Sequence, residues 1–211
     1  MFKKMSPEKL ASLTDHYNDT QRIAERMVKT RDIYFFLIIG IIVLFAFQIF
    51  SPVASGGILQ EVIKAQLQTE TTISQIYINS ILWFCLLAVS ARYFQTVINL
   101  EKQYNYMHGL ETLLSAEFDG KAYTREGKSY LKNYAIFSDW MHIVYRYIFP
   151  VALVVAVIAK IWNEINLKNV NLVALWLDIL ISLALILSIA LYVYSLRQAN
   201  KDSYEDLNES K

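Results

Sequence analysis

The stretch IYFFLIIGIIVLFAFQIF, Ile33 to Phe50, carries no charge, and none follows until Glu61. Wound as a helix at about 1.5 Å per residue and extended to residue 53, it crosses a hydrocarbon core of ~30 Å. Residues 33–53 are therefore expected to form a first transmembrane span. Upstream, Ser6-Pro7-Glu8 has the pattern of a helix start: a hydroxyl cap, a proline in the first turn and a carboxylate at the positive end of the dipole. Leu10, Leu13, Tyr17, Ile23 and Met27 recur at helical spacing, with Lys9, Asp15, Arg22, Glu25 and Arg26 largely opposite, so residues 1–32 read as a cytosolic amphipathic helix. Its apolar face suits a membrane surface or, as the simpler use, packing against other cytosolic helices. Lys3, Lys4, Lys9, Arg22, Arg26, Lys29 and Arg31 precede the span, whereas the next connection holds only Lys64, an imbalance that places the N-terminus in the cytosol. A cleaved leader ending near Ala54 is the rival reading, and the long mixed-charge segment ahead of it argues against that.

Working onward, residues 54–73 are expected to form an outer connection in which Leu59, Val62, Ile63 and Leu67 line one face of a short helix. A second span covers 74–97, with Arg92 close enough to its cytosolic end to reach the headgroups. Helical spacing persists in Leu100, Tyr104, Met107, Leu110, Leu114 and Phe118; Asp119-Gly120 then marks a turn, and Tyr123, Tyr130, Leu131, Tyr134 and Phe137 make a returning stripe. Residues 98–140 are thus expected to be a cytosolic helical hairpin. A third span at 141–162 contains Arg146 and Lys160 near its ends, has Trp140, Tyr145, Tyr147 and Trp162 at interface depths, and is bent by Pro150. A fourth covers 170–196, and the polar, acidic residues 197–211 read as a disordered cytosolic tail. The expected fold class is all-α: a polytopic membrane protein with four transmembrane helices, placed in a bacterial inner membrane with both termini cytosolic.

Composition agrees with that class. The 211 residues are 55% hydrophobic with a formal net charge of +1, too clustered in apolar character for a soluble domain and too balanced to attract nucleic acid. A lone cysteine, Cys85, excludes an intrachain disulfide and a cysteine-based metal site. His16, His108 and His142 are dispersed, without the two-histidine spacing of a zinc protease, and the sequence holds no glycine-rich phosphate loop or nucleophile elbow. The expectation is a non-enzymatic protein with no catalytic residue, cofactor or metal. His108 and Glu111, one turn apart, have the chemistry to hold a metal or relay a proton, but such spacing on an exposed helix is usually incidental.

Two groups of residues are candidates for function. Asp178 is the ionisable residue deepest within a span, where any charge is a functional hypothesis by default. Lys160 is its expected partner, Gln48, Asn79 and Ser80 are placed to face the same interior, and Arg92 completes the intramembrane polar set. A structural pair is favoured over the lining of an ion or proton path. In the hairpin, Arg125, Glu126, Lys128 and Tyr130 are candidate contacts for a partner protein or nucleotide, by stacking and charge. The plainer reading makes them hairpin core and membrane-proximal basic residues. Ala152 with Ala156, and Ala184 with Ser188, permit close helix contact within one chain or between copies.

Arg125-Glu126-Gly127-Lys128-Ser129-Tyr130-Leu131, followed by Trp140 and by Tyr147-Ile148-Phe149-Pro150, resembles segments of uncharacterised small multi-span bacterial membrane proteins. The layout, an N-terminal helix feeding a tight pair of spans, also resembles the SLATT-type membrane effectors of bacterial conflict systems, with four spans here. That resemblance implies a homo-oligomer that permeabilises the bilayer when a cytosolic protein or nucleotide signal arrives. The alternative expectation is a scaffold or sensor subunit that recruits a cytosolic partner.

Overall fold

The computed structural model describes residues 6–67, 75–117, 140–141, 143–166 and 171–209, and the elements among them are all helical. They are α1 (Pro7–Phe50), α2 (Pro52–Leu67), α3 (Gln75–Glu117), a π-helical turn at Val144–Ile148, α4 (Phe149–Ile165) and α5 (Leu172–Glu209). Four stretches are long and apolar enough to cross a membrane: Pro7–Phe50, Tyr77–Ser115, Val144–Ile165 and Leu172–Gln198. The all-α class therefore stands, with four long apolar helices as candidate membrane spans. The returning half of the expected hairpin, with Arg125, Glu126, Lys128 and Tyr130, lies outside the described residues.

Element boundaries follow from local chemistry. The amphipathic helix and the first span are one helix, because no glycine or proline separates Lys29 from Ile33. Ser6 starts it, with its Oγ accepting from the Lys9 N–H at 3.5 Å and its carbonyl from Leu10 at 3.0 Å. At Pro52 the missing N–H leaves the Gln48 carbonyl without its helical donor, yet Ser51 and Ser55 still donate to Phe47 and Ser51 at 2.9 Å. The expected outer connection is accordingly a helix that resumes after one residue. Pro150 falls in the first turn of α4, directly after the π turn, so the expected bend is taken up as a widened turn that tolerates the absent donor. Asn171 caps α5, its Oδ1 accepting from Val173 at 3.0 Å and Ala174 at 3.3 Å, which starts the helix at Leu172. Helix α5 then continues to Glu209, correcting the expectation of a disordered tail. Low hydrophobicity removes packing partners but leaves backbone hydrogen bonding intact, and residues 197–209 contain no proline or glycine.

The chain divides into two compact units, one of Met1–Asp32 and Gln95–Arg146, the other of Ile33–Phe94 and Tyr147–Lys211. In the first, Tyr17, Ala24, Leu100, Met107, Leu110 and Leu114 form the core, with Leu10, Leu13, Met27, Val28 and Tyr104 packed against it. The inward positions step alternately by three and four residues: Leu10, Leu13, Tyr17, Thr20, Ala24 and Met27 on α1, and Val97, Leu100, Tyr104, Met107, Glu111 and Leu114 on α3. This is the heptad seam of a two-stranded coil. Tyr17 meets Glu111 and Thr20 meets Gln103, so the strands run antiparallel. The 3.5-residue period also corrects the expected stripe, since Thr20 and Ala24 lie on the seam whereas Ile23 is 44% exposed. Of the two uses open to the N-terminal helix, this unit realises packing against a partner helix.

The second unit joins its four apolar helices through aromatic contacts. Phe45 of α1 meets Trp83 of α3 at 4.9 Å between centroids, Tyr93 meets Phe149 of α4 at 5.0 Å, and Phe94 stacks on Tyr192 of α5 at 4.6 Å. Helices α4 and α5 pack directly, burying Leu153 and Val157 on one and Leu185 and Ile189 on the other. Of the small residues expected to permit close contact, Ala152 is exposed while Ala156, Ala184 and Ser188 are part-buried. Val43, Ile81, Phe84, Val151, Val155 and Leu180 face outward, an apolar exterior suited to lipid.

Adjacent residues test the coil. Leu114 is fully buried and Leu113 is 56% exposed. Leu114→Ala should lower the unfolding free energy by about 2–5 kcal/mol, and Leu113→Ala by less than about 0.5 kcal/mol, in denaturant titrations of the full chain in detergent followed by circular dichroism.

Candidate functional site

Helical spacing gathers polar groups from all four apolar helices to one level of the second unit. On α4, Lys160 and Glu164 are four residues apart and so share a face, where their side chains pair at 3.2 Å. Both are almost wholly buried, with relative exposures of 2% and 5%. The order, lysine before glutamate, is the less favourable one for the helix dipole, so the pair is not explained as support for α4 alone. Lys160 also donates to Gln48 Oε1 of α1 at 2.8 Å and lies 5.0 Å above the Phe45 ring. Glu164 accepts from the indole N–H of Trp83 on α3, at 3.2 and 3.4 Å to its two oxygens.

Asp178 of α5, 4% exposed, completes the cluster. Ser80 hydrogen-bonds its carboxylate, and Glu164 and Lys160 are near enough to act on it electrostatically. Among the described residues, however, the ion-pair partner of Lys160 is Glu164 rather than Asp178, which departs from the expected pairing. The physical reason is proximity on one helix: a one-turn separation brings Glu164 to the ammonium without any help from interhelical packing. Among the described residues, three buried polar atoms at this level have no hydrogen-bond partner: Gln48 Nε2, Asn79 Oδ1 and Asp178 Oδ1. Arg92 lies elsewhere, exposed on α3 and ~14 Å along the helix from Trp83.

Glu164 and Trp83 are the members that sequence reasoning missed. Ending the third span at residue 162 assigned Glu164 to a connection, whereas α4 continues through Ile165. The available signal was the one-turn spacing from Lys160, which puts a second ionisable group on the same face. Gln48, Ser80 and Lys160 were legible because polar side chains in apolar helices turn toward one another.

In the first unit, Glu111 is buried in the coil seam, accepting from the Tyr17 hydroxyl at 3.0 Å, with His108 Nδ1 at 3.4 Å. His16 Nε2 and the Tyr106 hydroxyl are 2.8 Å apart. Thus His108 and Glu111 do meet, in a network that joins α1 to α3; no cluster of three or more potential metal ligands occurs among the described residues. Arg146 pairs with Glu101 at 2.6 Å, and Arg31 lies 4.6 Å above the Tyr145 ring. A cleft of about 280 Å³ in this unit is lined by Ile23, Arg26, Met27, Thr30, Thr96 and Asn99.

With these two polar networks in view, comparisons were made with known protein families, curated proteins and solved structures, and none of them matches this chain.

Removing the lysine alone should be costly. Lys160→Met leaves Glu164 without its counter-ion and should destabilise the protein by about 3–5 kcal/mol, read from thermal unfolding in detergent. Lys160→Met combined with Glu164→Leu should recover at least about half of that loss, because it removes the uncompensated charge along with its partner.

Proposed function

We propose that this chain is a non-enzymatic, multi-pass inner-membrane protein that assembles as a homo-oligomer and perturbs the bilayer when a cytosolic protein or nucleotide engages residues 98–140. The observation that carries the reading is the Lys160, Glu164 and Asp178 cluster, with groups from every apolar helix of an otherwise lipid-compatible unit. Helix adhesion in lipid is served adequately by neutral side chains, while intramembrane charge is characteristic of paths for ions or protons. Helices α1 and α3 supply residues to both compact units, so a signal received on α3 has a route to the cluster through continuous helix. Arg125, Glu126, Lys128 and Tyr130 are the proposed signal contacts, with no catalytic residue, metal or cofactor required. The lysines and arginines concentrated before Ile33 support cytosolic termini.

A scaffold or sensor subunit is the second reading. It is favoured by Ile23, Tyr106 and Leu113, large side chains exposed on the first unit and available to a cytosolic partner.

Inducible expression with a membrane-potential dye separates the two. Permeation requires depolarisation on induction, reduced by Asp178→Asn at equal membrane abundance. An unchanged potential in strongly expressing cells, together with co-purification of a cytosolic protein, would establish the scaffold instead.

A further inference from the structure

The buried cluster is electrically unbalanced. One ammonium, Lys160, faces two carboxylates, Glu164 and Asp178. No other described ionisable group faces it: α1 contributes Gln48, α3 contributes Asn79, Ser80 and Trp83, and α5 adds Ser182 beside Asp178, all of them neutral. Fully ionised, the cluster would hold one excess negative charge inside a unit whose exterior is hydrocarbon-like. An uncompensated buried charge is unfavourable even after relaxation, so a counter-charge should be bound.

The two carboxylates are not equivalent. Glu164 pairs with the Lys160 ammonium and accepts from the Trp83 N–H. Asp178 has the Ser80 hydroxyl, and its Oδ1 has no hydrogen-bond partner among the described residues. Ser80 also lines a groove of about 330 Å³ on the surface of this unit, with Tyr77, Ile81, Phe84, Leu177 and Ile181. The acid is thereby one side chain away from the lipid-facing surface.

We propose that Asp178 is a proton-binding site, whose Oδ1 takes up one proton and makes the Lys160, Glu164 and Asp178 cluster neutral. The step forms a single O–H bond with a proton drawn from water and breaks no bond within the protein. Its sign is that of any carboxyl: the proton is held at low pH and lost as pH rises, whereupon the excess negative charge returns to the cluster. The assignment does not depend on permeation, since a scaffold with the same bundle would hold the same proton.

A hydrophobic carbodiimide tests it, because the reagent partitions into lipid and reacts with a protonated carboxyl, whose O–H adds across its C=N bond to give an O-acylisourea that rearranges by an O-to-N acyl shift to a stable N-acylurea. Dicyclohexylcarbodiimide would be applied to the full chain in membranes, and adducts located by peptide mass spectrometry. The expected result is labelling at Asp178 that falls by about tenfold per pH unit above the titration midpoint. In Glu164→Gln, where one lysine faces one aspartate, labelling of Asp178 at the same pH should fall by about tenfold or more. Replacing choline chloride with sodium chloride should leave the labelling unchanged. Absence of label from Asp178 at every pH, adducts on Glu164 instead, protection by sodium, or labelling indifferent to Glu164→Gln would each overturn the assignment. Asp178→Asn supplies the unlabelled control, and the wild-type pH series decides the matter if that variant does not accumulate.

Discussion

An ammonium group buried between apolar helices dictates much of the second unit. Lys160 has three N–H donors and no acceptor, and between apolar helices there is little water to satisfy them. It is satisfied by Gln48 on α1, by Glu164 on its own helix and by the face of Phe45. Glu164 in turn engages Trp83 on α3, and Asp178 brings α5 into the same electrostatic field through Ser80. One charge therefore constrains the rotation and axial level of all four apolar helices, because turning any one of them away would strand a partner in hydrocarbon. Apolar side chains alone are far less selective, since leucine against lipid and leucine against leucine differ little.

The first unit uses the same device in its coil seam. Its seam is a short antiparallel coil with Thr20 and Glu111 at core positions. A buried glutamate is poor as a source of stability, yet its contact with Tyr17 distinguishes one register of the two helices from neighbouring ones. Heptad patterns permit slippage by a turn, and a single polar pair penalises every register that separates it. The nearby His108 places a titratable group against that pair, although the coil is otherwise held by aliphatic packing.

Functionally, the two networks are the features of this protein on which the proposed reading rests. The reading proposed for it needs charge held within the spans and a cytosolic surface that receives a signal, and α1 and α3 contribute to both units without an intervening loop. The strongest chemical asymmetry is in the spans, where one carboxyl is doubly supported and the other is only partly so. This makes the bundle responsive to a single counter-charge, whichever of the two functional readings is correct.

The candidate membrane spans were legible in the sequence alone, because uninterrupted apolar runs such as Ile33 to Phe50 have few stable alternatives to a spanning helix. Serine and proline at the start of α1, proline at residues 52 and 150, and the long α3 periodicity were legible for equally local reasons. Tertiary structure was needed wherever two helices had to choose faces. Ile23 and Ala24 are both apolar, and the 3.5-residue seam selects the smaller; Asp178 and Glu164 are both carboxylates, and helix α4 gives the lysine to Glu164. Sequence specifies which residues cannot remain in hydrocarbon unpaired, but the choice of partner depends on distances across the bundle, which are set only when the helices have packed.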